Sequence, residues 1–304
     1  MYYLKRILFM VPLLVVISFL AFALMKAVPG GPFDKDRQPA SPEIKRNLRA
    51  KYHLDDPLWK QYARYLGGLV RGDFGPSMKY RDHTVNDIIK QGLPVSMTLG
   101  LLAFCFAQAV GLPMGFYTAV CRGRWQEWLG SFVAIVLVCV PALVVAPLLV
   151  MVFGIKLGIL PVALWESPLH AILPTAALGL FFSGRVARLM REGMLTTLKE
   201  PFVMSARAKG LSHAAVLLKH AFRLGVLPVV SYSGPMLADL LTGSFVVENV
   251  FRIPGIGVFV VNSFLNRDHT MLVGLVVVYA VLLLVLNLMV DFLYTILDPR
   301  VRYE

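Results

Sequence analysis

The feature that most constrains the fold of this chain is a set of apolar stretches about as long as a membrane is thick. A bilayer core of ~30 Å requires about 20 helical residues, and uncharged runs of that order cover 7–25, 93–120, 128–155 and 271–290. Two less clear candidates are 169–184, which is short, and 224–247, which contains one carboxylate. With 57% hydrophobic and 16% charged residues, the sequence predicts an all-α integral membrane protein with six transmembrane helices.

The first apolar run has a second interpretation, as the apolar part of a signal peptide. Lys5 and Arg6 precede it, and Ala21-Phe-Ala23 has the small-residue spacing of a cleavage site. The run is longer than the roughly 7–15 residues of such a region. We therefore expect a retained, uncleaved helix.

Positive charge is concentrated in particular short segments between the apolar runs. The formal net charge is +12, and eight lysines and arginines lie from Arg185 to Arg223, whereas the short segments on the opposite side hold only Lys156, Arg252 and Arg267. Because short cytoplasmic loops are the basic ones, this asymmetry predicts cytoplasmic termini and an external segment at 29–92. This membrane orientation accounts for the net positive charge, so we expect no nucleic-acid partner.

The segment 29–92 predicts a helical module outside the membrane. It opens with the turn cluster Pro29-Gly-Gly-Pro32, and amphipathic stretches follow at 41–52 and 57–70. The second stretch has one aromatic and apolar face, made of Trp59, Tyr62, Tyr65 and Leu66. Such a face suits either the headgroup level of a membrane or packing as an external cap on the helices.

Within the predicted spans, prolines and closely spaced glycines recur. Prolines at membrane depth, such as Pro141, predict kinked helices. The Gly111-Leu-Pro-Met-Gly115 stretch has the G-x-x-x-G spacing that lets two helices approach closely. We assign this motif to packing and not to chemistry.

Motifs of enzyme active sites are absent from the sequence. It contains no H-E-x-x-H, G-x-S-x-G or C-x-x-C pattern, and without a Gly-Lys dipeptide it cannot carry a G-x-x-x-x-G-K-[ST] phosphate loop. Its three cysteines, Cys105, Cys121 and Cys139, imply no disulfide framework. We expect no catalytic residue, no metal site and no cofactor in this chain. If its function depends on ATP, the ATPase must be a separate subunit.

The most distinctive segment lies between two apolar runs, from Glu200 to Ser212. It reads Glu-Pro-Phe-Val-Met-Ser-Ala-Arg-Ala-Lys-Gly-Leu-Ser. Gly210 can end a short helix here because glycine tolerates positive φ, and Ser212 is a good N-cap for the next helix. This break predicts a knob at the membrane surface that can dock into a partner's groove, and its small and basic residues are Ala206, Arg207, Ala208 and Lys209.

Three parts of the sequence resemble the permeases of ATP-binding-cassette peptide importers. The first is Ala206-x-x-x-Gly210 followed by Leu227-Pro228, with an Ala-Arg-Ala-Lys-Gly-Leu core and the later pair His220-Ala221. The others are 51–57 with 72–77, and 254–257 with 266–268. The broad importer family has an acidic residue and an alanine at two of the motif positions, held here by Met204 and Ser205. The chain is thus similar to the first of two membrane subunits of an oligopeptide permease.

The resemblance implies a type I importer permease fold. It divides the chain into a first helix within 1–28, an external helical insertion at 29–92 and a five-helix core at 93–304. A cytoplasmic coupling loop at 191–223 would receive the motor's movement through a helix at about 202–209, with the coupling residues Met204, Ser205, Ala206, Arg207, Ala208, Lys209 and Gly210. An external gate beside a receptor would be formed by Pro254, Gly255, Gly257, Arg267 and Asp268.

The same resemblance implies a set of partners at the inner (cytoplasmic) membrane. They are a second homologous permease subunit, two cytoplasmic ATP-binding subunits that hold ATP and Mg²⁺, and an extracytoplasmic peptide-binding protein. Peptide is the implied substrate, and membrane lipid surrounds the subunit. The chain itself is not expected to be an enzyme.

Asp239 is the one acidic residue in the middle of a predicted span. A carboxylate at membrane depth is costly unless it faces a cavity or a partner. One hypothesis places Asp239 and Tyr232 on the translocation path, where the carboxylate meets a peptide's ammonium group. The alternative is local hydrogen bonding to Tyr232, Ser233 and Thr242. A secondary transporter or channel is the rival functional class, and it predicts several such buried ionisable residues.

Overall fold

The computed structural model describes residues 2–27, 46, 50, 55–80, 83–242 and 245–297, and helices are its dominant secondary structure. The turn cluster at 29–32 and almost all of the amphipathic stretch at 41–52 lie outside the described residues. The helices are α1 (Tyr2–Ala27), α2 (Leu58–Val70), α3 (Val85–Val120), α4 (Trp125–Cys139), α5 (Ala142–Lys156), α6 (Pro168–Thr197), α7 (Pro201–Ala208), α8 (His213–Gly225), α9 (Leu227–Thr242), α10 (Phe245–Val250), α11 (Ile256–Asn266) and α12 (His269–Leu297).

The predicted number of spans agrees with these helices. In the part of the chain that the structure describes, four helices are long and apolar enough to cross a membrane. The total becomes six if each of two bent pairs, α4 with α5 and α8 with the segment Leu227–Val250, forms one span. The all-α membrane fold class is therefore confirmed, and the predicted six spans are the upper limit of the four to six that the described helices allow.

The apolar run 128–155 is interrupted, whereas the sequence pattern predicts one span. The axes of α4 and α5 meet at 102°. Val140 is extended, with φ −89° and ψ 116°, because Pro141 disfavours helical geometry in the residue before it. Pro141 predicted a kink at this position, but the size of the bend became visible only in the structure.

The described residues form two compact units, of which the first combines Met1–Ser96 with Pro254–Leu288. Its core consists of Val85, Ile88, Ile256, Met271 and Leu275, brought together from the starts of α3, α11 and α12. Amphipathic α2 confirms the predicted stretch 57–70, and it packs on α1 through Tyr62. The hydroxyl of Tyr62 donates to the Val15 carbonyl at 2.9 Å, while Trp59 stays 74% exposed.

The second unit consists mainly of Met97–Ile253, with α6 at its centre. Half of the apolar window of α6 is buried, against 11% for α1, and α6 packs on α4, α5, α9 and the end of α8. A Cβ placed on Gly111 would lie 2.7 Å from the Ser183 carbonyl of α6, and one on Gly115 would collide with the Ala187 carbonyl. The predicted packing role of this glycine pair is confirmed.

Candidate functional site

The basic loop predicted to contact a motor forms a short helix followed by a tight turn. Helix α7 covers Pro201–Ala208, beside the predicted 202–209. Gly210 follows with φ +78°, a conformation that glycine adopts without a Cβ penalty. The Ser212 hydroxyl then accepts a hydrogen bond from the Ala215 amide at 3.3 Å and caps α8. The predicted helix, its stop and its restart are all confirmed.

Helix α7 has one face buried in its own chain and one face exposed. It packs against the π-helical stretch Val216–Ala221 of α8, and Val203 and Ala206 are buried. The sequence suggested that Ala206 contacts a partner protein, and the structure corrects this interpretation. Ala206 is only 5% exposed, and its small side chain packs within the subunit. The exposed side chains, available to another protein, are those of Phe202, Met204, Ser205, Arg207, Ala208 and Lys209.

An ion pair that sequence reasoning missed joins the start of α4 to α6. The Arg191 guanidinium donates to the Glu127 carboxylate, whose second oxygen accepts from the Gly123 amide at 2.6 Å. The only sequence signal was a lone glutamate beside an arginine-rich turn. The pair therefore joins the start of α4 to α6. Because α6 leads through one turn into α7, it also links α4 to the exposed helix α7.

Tyr232 lies on α9 and is held by an arginine of α6. Its hydroxyl accepts a hydrogen bond from Arg185 at 3.2 Å, and the Arg185 guanidinium lies over the Phe181 ring, 4.8 Å from its centroid. In the sequence, Arg185 counted only as part of the cytoplasmic positive charge. The structure instead places it among groups within the span.

Asp239 is exposed on α9, seven residues after Tyr232. Seven residues are about two helical turns, or roughly 10 Å, so both side chains share one face. Of the three local partners that the sequence suggested, Ser233 bonds elsewhere: it donates to the Val229 carbonyl and accepts from Gln108. Asp239 thus presents its carboxylate on the open surface of the subunit.

The segment predicted as an external gate forms helix α11 between two turns. Pro254 and Gly255 precede it, so no continuous helix crosses this region, and Arg267 ends it with left-handed φ 57°. Pro254 is exposed and Arg267 is partly exposed, whereas Gly255 and Gly257 are buried. Only part of the predicted gate is therefore accessible in this subunit.

Asp268 is a buried hydrogen-bond acceptor, which corrects its prediction as a surface contact for a receptor. It is 1% exposed. One carboxylate oxygen accepts from the Ser77 hydroxyl at 2.5 Å and from the amides of Met78 and Lys79. The other oxygen accepts from the Met271 amide at 3.0 Å. Asp268 therefore holds the segment after α2 against the start of α12.

Metal ligation has no support in the described part of the chain. Among those residues, no group of three or more His, Cys, Asp or Glu side chains is placed to hold an ion.

Family comparison decides the class of the chain. Residues 111–303 match the family described as the binding-protein-dependent transport system inner membrane component, and residues 1–100 match the family described as its N-terminal membrane component. The chain belongs to this family. As an inner membrane component it is a multi-pass membrane protein, in agreement with its apolar helices.

Similar proteins align with this inner membrane component over almost their whole length. The oligopeptide transport system permease protein OppB of Haemophilus influenzae is 43% identical and covers 98% of both chains. The dipeptide transport system permease protein DppB of Bacillus subtilis is 40% identical, with 99% of this chain and 97% of that protein aligned. OppB of Salmonella typhimurium is 41% identical over 99% of this chain and 98% of its own.

Solved structures with the same fold are membrane transporters. An inward-facing structure of the MetNI methionine ABC transporter superposes with a TM-score of 0.60 at 14% identity, covering 69% of this chain and 96% of that one. An amino acid ABC transporter gives a TM-score of 0.52 at 19% identity, covering 68% and 93%. At these identities the likeness establishes the shared fold of the inner membrane component.

Proposed function

We propose that this inner membrane component is one of two membrane-spanning permease subunits of an ATP-driven peptide importer. The observation that carries the proposal is full-length similarity to permeases named for oligopeptide and dipeptide transport, at 40–43% identity. The exposed face of α7 supports the same function. An ATP-driven permease that lacks a phosphate loop depends on a separate ATPase subunit, and α7 offers a surface to which such a subunit could bind.

In this proposal α7 is the contact with the motor. Two cytoplasmic ATP-binding subunits hold ATP and Mg²⁺, and their closure moves the exposed face of α7. The buried face, Val203 and Ala206, fastens α7 to α8, while the Glu127–Arg191 pair fastens the preceding helix to α4. Movement of the knob is thereby passed to the membrane helices, and no residue of this chain takes part in covalent chemistry.

The peptide crosses along a path that this subunit shares with a second, homologous permease. Asp239 is exposed in the isolated subunit, and we assign it to the path, where its carboxylate meets the ammonium group of a peptide. Tyr232, oriented by Arg185, lies on the same face of α9. A charged group within the membrane is expected to face a polar cavity, and the exposure of Asp239 supports its assignment to the path.

On the external side, α2 and α11 contribute to the surface that an extracytoplasmic peptide-binding protein approaches. Pro254 and Arg267 supply its accessible part, and the buried Gly255, Gly257 and Asp268 maintain the shape of the gate. The subunit lies in the cytoplasmic membrane with both termini in the cytoplasm.

The coupling assignment is tested by placing negative charge on the exposed face of α7. Met204→Glu with Ala208→Glu is expected to lower peptide uptake more than ten-fold while the subunit is still inserted and assembled, because two buried carboxylates would have to be desolvated at the motor contact. Uptake and ATP hydrolysis are measured in vesicles at matched protein abundance. Lys156→Glu, also exposed but predicted on the opposite side, is the control.

Normal ATP-dependent uptake by the double variant would contradict the role of α7. Uptake by the wild-type chain that continues without ATP and follows an ion gradient would instead favour the rival class, a secondary transporter.

A further inference from the structure

The first unit contains a cavity of about 550 Å³ that the transport mechanism does not use. The end of α1 and one side of α2 form two of its walls, and the segment 73–78 and the start of α12 form the others. Its apolar lining includes the rings of Phe22 and Phe74, and its polar lining includes Lys26, Tyr65, Arg71 and His269.

Two polar atoms in this lining are buried and have no hydrogen-bond partner among the described residues: the Tyr65 hydroxyl and Nδ1 of His269. The His269 side chain belongs to a residue that is only 9% exposed. Buried polar atoms are nearly always paired, because an unmade hydrogen bond is expensive once water is excluded. Both residues line the cavity, so a hydrogen-bonding ligand bound there would lie next to these two atoms.

The chemistry of the lining favours an anion. Tyr65 is a donor, since burial raises the pKa of its hydroxyl, and Lys26 adds an ammonium group. The one carboxylate of the lining, Asp73, accepts from the Gly75 amide at 2.8 Å. Arg64 is paired with Asp56 at 2.9 Å, so among the described residues Lys26 and Arg71 supply the positive charge of the lining that no ion pair neutralises.

The position of the cavity selects a lipid over a soluble anion. Lys26 lies in the last turn of α1, a helix whose apolar window is only 11% buried within this subunit, so its apolar surface is available to lipid. Lysines at helix ends extend to the level of the headgroups. The Phe22 ring lies one turn deeper, with Lys26 Nζ 5.7 Å from its centroid, and gives the cavity an apolar side.

We propose that this cavity binds the headgroup phosphate of an anionic phospholipid. Lys26, the Tyr65 hydroxyl and the His269 ring contact the phosphate oxygens, and the acyl chains lie along the apolar surface of α1. Such a lipid connects α1, α2 and α12, so it fastens the external module to the membrane helices.

The test uses the full-length chain, purified in the complex in which it is expressed and stripped of bound lipid. Native mass spectrometry measures binding of dioleoyl phosphatidylglycerol, dioleoyl phosphatidylcholine and inorganic phosphate. We expect the phosphatidylglycerol lipid to bind at least ten-fold more tightly than the phosphatidylcholine lipid. Lys26→Gln and Tyr65→Phe are each expected to weaken its binding about ten-fold.

Lys60→Gln is the matched control. Lys60 also lies on α2, but it is outside the cavity and paired with Asp56 at 3.7 Å, so its replacement should leave lipid binding unchanged. Thermal unfolding provides the second measurement: phosphatidylglycerol should raise the midpoint of the wild type more than that of Tyr65→Phe.

Three results would overturn the proposal. Equal binding of the two lipids would show that the negative charge is not recognised. Unchanged binding in both Lys26→Gln and Tyr65→Phe would place the lipid elsewhere. If inorganic phosphate displaces the phosphatidylglycerol lipid completely and binds as tightly as the lipid does, the cavity is a site for a soluble anion.

Discussion

At the scale of single residues, the buried carboxylate of Asp268 is stabilised by several hydrogen bonds. The carboxylate of Asp268 accepts hydrogen bonds on both oxygens, from two separate segments of the chain. A buried carboxylate is tolerated when its lone pairs are satisfied in this way. The residue therefore stabilises the contact between the segment after α2 and the start of α12, although its sequence motif alone suggests a surface contact.

This role predicts the effect of Asp268→Asn. The amide keeps one acceptor oxygen but turns an NH₂ group toward backbone or hydroxyl donors, so at least one buried hydrogen bond is lost, at a cost of about 2 kcal/mol. The thermal unfolding midpoint of the purified complex should fall by roughly 4 °C. Asp55→Asn, at an exposed position of the same unit, is the control and should change the midpoint little. Equal midpoints for both variants would contradict the structural role of Asp268.

At the scale of helices, small residues decide how closely α3 and α6 approach. Gly111 and Gly115 face the backbone carbonyls of Ser183 and Ala187 at distances that exclude any Cβ. In a membrane, where burial of apolar surface drives association only weakly, such close packing supplies much of the attraction between helices.

Gly115→Leu is accordingly expected to prevent correct packing of α3 on α6. Overpacking typically costs 1–3 kcal/mol and exceeds that range where backbone is struck. The amount of folded, monodisperse subunit in detergent should drop severalfold. Gly67→Ala in α2 is the contrasting substitution: a Cβ there meets nothing within 4 Å, so expression and stability should be kept or slightly improved. Normal yield of Gly115→Leu would show that the helices can separate without consequence.

At the scale of the whole molecule, positive charge and helix length together predict orientation. The basic turns that precede α4 and follow α6 are short, so the positive-inside rule applies to them. An even number of spans then places both termini in the cytoplasm and the module containing α2 outside. In that orientation α7 would face the cytoplasm, where the proposed motor subunits lie.

Thiol labelling checks this orientation. In a background where Cys105, Cys121 and Cys139 are replaced by serine, Lys60→Cys should react with a membrane-impermeant maleimide added to intact cells, and His213→Cys should react only after permeabilisation. Both native side chains are exposed, so accessibility within the subunit does not limit either reaction. The reverse pattern of labelling would overturn the orientation and the proposed motor contact together.

Much of this protein follows from local sequence alone. Apolar runs of membrane length determined the all-helical fold class, and the family motifs determined the class of transporter. The chemistry of single residues predicted where α7 stops and α8 starts, because Gly210 and Ser212 act on the backbone of their immediate neighbours. The period of apolar residues likewise predicted α2, since the pattern of one face is contained within the segment itself.

Only the tertiary structure decided the features that depend on residues far apart in the chain. Pairing of Glu127 with Arg191, burial of Asp268 beneath the segment that contains Ser77, and the Arg185 contact with Tyr232 each join elements separated by tens of residues or more. Side-chain chemistry shows that these groups need partners but not which partners they find. That choice is made by helix packing, which combines the volumes and close approaches of many residues at once.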